Sequence, residues 1–161
     1  MDKAFDLAAR LFGLAAAVFL IAMMLVTVAD VSLRSLLDIP IFGTFDLVEL
    51  FLVASVFLAI PGAFLREEHV VVDVIDHVTP RRVSATLRWI GTILTFVFLV
   101  AMLREMIQPA LDKLEFGEVT LELSIPKYIH WIPILVGVFF SALAVAAILI
   151  RDILRTRRAP K

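Results

Sequence analysis

Two carboxylates three residues apart, Asp46 and Glu49, head an otherwise uncharged apolar run. An acid on such a run is where proton or ion chemistry is first sought, because a charge at mid-bilayer costs about 2.5 to 3.5 kcal/mol on insertion scales. At i, i+3 the two share a helical face, and Glu49 is the better candidate for a proton-coupling carboxylate. It also lies within a turn or two of the end of its run. Pairing there with Arg34 or with a partner protein gives it a structural role, and this is the preferred reading. Asp30 and Arg34 are spaced i, i+4 and can form a local pair. Arg34 can instead cross a short loop to Glu49 and tie two apolar runs together.

The three histidines were weighed against haem ligation, which needs ligands facing one another at matched depth between helices. His69, His77 and His130 all fall near the ends of apolar runs, so a solvent-facing or hydrogen-bonded role is expected for each. With no cysteine, disulfides, thiolate metal sites and a cysteine nucleophile are excluded. No nucleophile with its base, phosphate-binding glycine loop or metal cluster is present, so neither catalysis nor a cofactor is expected. Fifteen Lys plus Arg against sixteen Asp plus Glu leave no basic field to draw nucleic acid.

The elements that must carry these residues are set by composition. Of 161 residues, 61% are hydrophobic and only 19% charged, and the mean hydropathy is +1.00. A soluble domain is about 45–50% apolar. Charges gather in clusters and leave long uncharged stretches, which predicts an all-α integral membrane protein with four transmembrane helices, at about residues 8–30, 45–65, 87–107 and 128–150. The first run, Leu11 to Ala29, exceeds the apolar core of a cleaved signal peptide and is expected to be retained. Pro61 is expected to kink the second span near its far end, and Pro109 to help end the third. Tyr128 and Trp131 sit where an interfacial aromatic belt would place them.

Four spans put both termini on one side. The termini and the loop between spans two and three hold eleven Lys and Arg, and the other two loops hold four, so both termini are expected to be cytoplasmic. Within that central loop, Val71, Val74, Ile75 and Val78 follow an i, i+3, i+4, i+7 pattern opposite His69, Asp73, Asp76 and His77. This predicts a short amphipathic helix over about residues 69–79 lying in the membrane interface, with residues 151–161 forming a basic tail. The loop from Pro109 to Lys127 has a net charge of −2. It reads as acidic and exposed, with a short extended segment before Pro126. Gly137, Ser141 and Ala144 recur at i, i+4, i+7 and form a stripe of small side chains suited to close helix packing; Gly13 with Ala16 and Ala17 does similarly in the first span.

The order of these features resembles the small, Q-type permease subunits of tripartite ATP-independent periplasmic (TRAP) transporters. Most specific is the passage Phe57-Leu58-Ala59-Ile60-Pro61 through Arg66-Glu67-Glu68 into His69-Val70-Val71-Val72-Asp73, which is similar to the family's His-Val-x-Val-Asp signature, although Val71 stands where many relatives are basic. Arg34, Glu49, Gly117-Glu118, and Ser124-Ile125-Pro126 with Trp131 and Pro133 also look like family positions. The resemblance implies a multi-pass subunit of a bacterial or archaeal inner membrane. Its partners would be a large M-type permease subunit, which moves an organic acid inward on the sodium gradient, a periplasmic substrate-binding protein, and membrane lipid. It implies a scaffold, with Arg34, Glu49, His69, Asp73, Pro126 and Trp131 in structural or interface roles. Two other classes stay open: an autonomous proton-coupled transporter centred on Glu49, and a membrane anchor for a respiratory enzyme.

Overall fold

The computed structural model describes residues 2–66 and 81–158. The expected interfacial helix, with His69 and Asp73, lies outside the described residues.

Four helices make up what is described: α1 (Asp2–Leu37), α2 (Thr44–Leu65), α3 (Arg81–Glu115) and α4 (Tyr128–Arg158). Each carries a stretch long and apolar enough to cross a membrane. In such a stretch every backbone N–H must be bonded within the segment, which the helix does by itself. Hydroxyls follow the same rule: Thr27, Thr95 and Ser141 donate to the carbonyls of Met23, Gly91 and Gly137, four residues back, at 2.7–2.9 Å. Thirty-six residues of α1 rise roughly 54 Å, well beyond the roughly 30 Å of a hydrocarbon core, so its ends stand in the interfacial layers or past them.

Pro109 does not help to end the third helix. It lies inside α3, which continues to Glu115. The missing N–H frees only the carbonyl of Glu105, on an exposed stretch close to the helix end, and a helix tolerates one such loss where the freed group can be solvated. Pro61 likewise lies inside α2, and it is buried.

The helices pack in the spatial order α1, α2, α4, α3. The two inner helices bury more of their most apolar stretch, 22% for α2 and 33% for α4, against 6% for each of the outer pair. The arrangement is therefore an open layer rather than a closed bundle. Its core is a cluster of Leu99 from α3 with Val138, Ala142 and Val145 from α4, against which Phe57 and Phe64 of α2 and Phe96, Met102, Leu103 and Met106 of α3 pack.

Close approach depends on small residues. Gly137 is buried where a Cβ would overlap the backbone carbonyl of Phe57, so α4 meets α2 backbone to backbone, and Ser141 and Ala144 are buried further along the same helix. Between α1 and α2 a Cβ at Gly62 would stand 3.3 Å from the carbonyl oxygen of Ala9. Ala9, Gly13 and Ala16 line that crossing, whereas Ala17 is turned outward. A ring contact of 5.1 Å between Phe12 and Phe140 joins α1 to α4, and one of 6.1 Å between Phe19 and Phe51 joins α1 to α2.

Candidate functional site

The polar groups collect where α1 and α3 finish and α2 and α4 begin. The connection from α1 to α2 is short. Asp38 follows α1 at φ 56°, the left-handed position at which helices commonly stop. Asp30, buried about two turns earlier, holds this connection: one carboxylate oxygen accepts from Arg34 Nη2 and the other from the Ile41 N–H, both at 2.8 Å. Arg34 thus takes the local partner rather than Glu49. Its own side chain is 61% exposed, so the pair itself adds little, whereas the bond to Ile41 fixes the backbone.

The connection from α3 to α4 folds back on itself. Val119 bridges Pro126, the Thr120 N–H donates to the Ile125 carbonyl, and the Lys127 N–H to that of Glu118. Gly117 at φ 60° and Ser124 at φ 53° make the reversals. The single extended segment expected before Pro126 is instead two short arms of a hairpin. The alternation of Val119, Leu121 and Leu123 breaks at the turn.

Asp46, in the first turn of α2 and 2% exposed, joins the two connections. Its Oδ2 accepts the backbone N–H groups of Glu122 at 3.1 Å and Leu123 at 2.7 Å, and the Thr120 hydroxyl lies beside the same carboxylate. In return Glu122 Oε2 accepts the Gly43 N–H at 2.8 Å. Gly43 caps α2 at φ 85°, and a Cβ there would overlap the Leu123 side chain, so both conformation and space call for glycine. Glu118 binds Lys113 and, at 3.4 Å, Lys127. The bonded Lys113 ammonium holds the Glu118 carboxyl below the usual carboxylate range, and Lys127 adds to this.

His130, the third residue of α4, was expected to be solvent-facing or hydrogen-bonded and is neither. It is 8% exposed, neither ring nitrogen has a hydrogen-bond partner among the described residues, and it lies near enough to Asp46 to interact with its charge.

Glu49 is exposed on α2, apart from the buried cluster. Pro126 closes the hairpin, and its carbonyl accepts from the Ile129 N–H at the start of α4; Trp131 is half-buried one turn on. Sequence reasoning overlooked Asp46 as the organising acid, along with Gly43, Thr120, Glu122 and the burial of His130. The left-handed glycine before α2 is the one visible signal. Among the described residues no group of three His, Cys, Asp or Glu side chains is placed to hold a metal ion. The arrangement locks loops and helix ends together. It gathers no set of reacting groups.

Neither a curated protein nor a solved structure matches the chain. Residues 23–155, from within α1 to near the end of α4, match the family described as tripartite ATP-independent periplasmic transporters, DctQ component. That family is a transporter component rather than an enzyme family, and the matched stretch holds the whole interlocked end as well as the α2–α4 and α4–α3 packing. The chain therefore belongs to the DctQ family, as a small permease component of TRAP transporters.

Proposed function

We propose that this chain is the scaffolding subunit of a sodium-driven transporter. In this reading it widens and steadies a large permease subunit in the inner membrane while that subunit moves an organic acid delivered by a periplasmic binding protein. The reading is carried by the disposition of buried and exposed groups: the polar residues buried at the loop end serve loop and helix junctions, while α1 and α3 keep broad apolar faces uncovered. Such faces suit a neighbouring membrane subunit on one side and lipid on the other. The charge asymmetry of the loops supports cytoplasmic termini, with the hairpin end outside. Arg34, Glu49, Pro126 and Trp131 act structurally or at interfaces in this scheme, as do His69 and Asp73, and Gly137, Ser141 and Ala144 serve helix packing.

An autonomous transporter would need an acid enclosed between helices at depth, and the exposure of Glu49 near one end of α2 speaks against that role. The test is to tag the chain, co-express it with its neighbouring genes, extract it in mild detergent and identify what co-purifies. A large multi-span permease at near-equal stoichiometry is the expected result. A lone homo-oligomer that transports in vesicles and stops when Glu49 is replaced by Gln would overturn the reading.

A further inference from the structure

In the hairpin between α3 and α4 several polar groups are engaged within the protein, while the apolar side chain at its tip points outward. Glu118 is held by Lys113 and Lys127, Thr120 is buried and accepts the Ile125 N–H at 3.0 Å, and Glu122 accepts the Gly43 N–H. Leu123 packs over Gly43, but Leu121 at the tip is 94% exposed, and Phe116 just before the hairpin and Phe42 on the adjoining loop are each 73% exposed. A hairpin in water shows the opposite preference, keeping apolar side chains against the protein.

The backbone follows suit. The N–H groups of Thr120, Glu122, Leu123, Ile125 and Lys127 all have partners within the protein, and Pro126 has none to satisfy. These bonds lessen the hairpin's need for water, and the N–H groups of Val119, Leu121 and Ser124, which have no partner among the described residues, suit the hydrated headgroup layer rather than the hydrocarbon core. Depth is fixed as well. Asp46 binds Glu122 and Leu123 from the first turn of a membrane-spanning helix, so the hairpin lies level with that helix end and does not stand out into solvent.

From the internal engagement of the polar groups, the outward apolar tip and the fixed depth, we propose that this hairpin is a membrane-interface anchor, its tip at Leu121 resting with Phe42 and Phe116 at the boundary between lipid headgroups and acyl chains. The occupant is phospholipid of the leaflet at that end. The exposed apolar surface of the spans continues into the same region through Leu36, Leu37, Ile39 and Phe45, so the tip extends a surface that already faces lipid.

The absence of native cysteine makes the test direct. Leu121→Cys in the full chain provides one site for an environment-sensitive fluorophore, and the side chain it replaces packs against almost nothing. The labelled protein, alone and with its co-purified partner, is placed in phosphatidylethanolamine–phosphatidylglycerol vesicles with or without lipid bearing a nitroxide near the top of its acyl chain. Loss of fluorescence with the nitroxide lipid, and little loss with iodide in the buffer, is the expected result in both preparations. Quenching by iodide without quenching by the nitroxide would place the tip in water and overturn the proposal. Shielding from both quenchers would show that protein covers the tip and would overturn it equally. Neither outcome bears on whether the chain scaffolds a permease, which the co-purification decides.

Discussion

Alanine substitution at three glycines should resolve the packing of the helix layer. At Gly91 a Cβ meets nothing within 4 Å, at Gly62 it meets the Ala9 carbonyl oxygen at 3.3 Å, and at Gly137 it overlaps the Phe57 carbonyl and stands 2.7 Å from its carbon. All three lie within helices, so each substitution gains about 0.5–1 kcal/mol from the reduced backbone freedom of the unfolded chain. Gly91→Ala should keep that gain. Gly137→Ala has to push α4 off α2, and an overpacked methyl costs about 1–3 kcal/mol. A gap of 0.5–1 Å forfeits roughly a quarter to a half of each dispersion contact along the seam. The two variants should therefore differ by about 1–3 kcal/mol, with Gly62→Ala between them. At about 2–4 °C per kcal/mol for a chain of this size, the midpoints of Gly91→Ala and Gly137→Ala should lie roughly 2–12 °C apart. Detergent-solubilised protein, heated and followed by the loss of its monodisperse peak on size exclusion, gives the order. Equal midpoints for Gly137→Ala and Gly91→Ala would refute the backbone contact between α2 and α4, and with it the spatial order α1, α2, α4, α3.

Two further outcomes concern the interlocked end. Asp46→Ala should release the hairpin without unfolding the layer, so that hydrogen exchange accelerates at the Glu122 and Leu123 amides; Glu49→Gln should leave those amides protected, and equal effects of the two would dismiss Asp46 as the clasp. For Glu118, whose folded pKa is depressed, the ion-pair contribution is present above the unfolded carboxylate value and is lost as pH falls through the lower folded value, so hairpin protection should hold through neutral pH and fade only below about pH 4. Lys113→Met should flatten that acid response in a pH series of the same exchange measurement, and an unchanged profile would count against the pairing.

The four spans were legible because an uncharged run of bilayer length is a local property of sequence. So were the small residues of α4, whose spacing alone places them on one face. Pro109 misled because the rule that proline ends a helix is also local, and it does not register how little an exposed Glu105 carbonyl loses. Asp46 was passed over for a physical reason. It binds backbone N–H groups some seventy-six residues away, and backbone amides carry no residue identity, so nothing in the composition of the Glu122–Leu123 turn announces its partner. Glu49, three positions further into the apolar run, reads from the sequence as the better candidate for a proton-coupling carboxylate. Only the packing distinguishes the acid that is enclosed from the one that is not. The burial of His130 was hidden likewise, since its neighbour Asp46 lies on another helix, far away in the chain.

The difference between chain order and spatial order has a consequence for biogenesis. Helices α1 and α2 can pair as soon as both have entered the bilayer, but α3 enters before the helix it packs against, which follows it in the chain. Until α4 slides between α2 and α3, the seam that will receive Gly137 and Ser141 is open to lipid, and α3 is held in the bilayer by its own hydrophobicity. Helix α4, which contacts both α2 and α3, is therefore the keystone of the described layer.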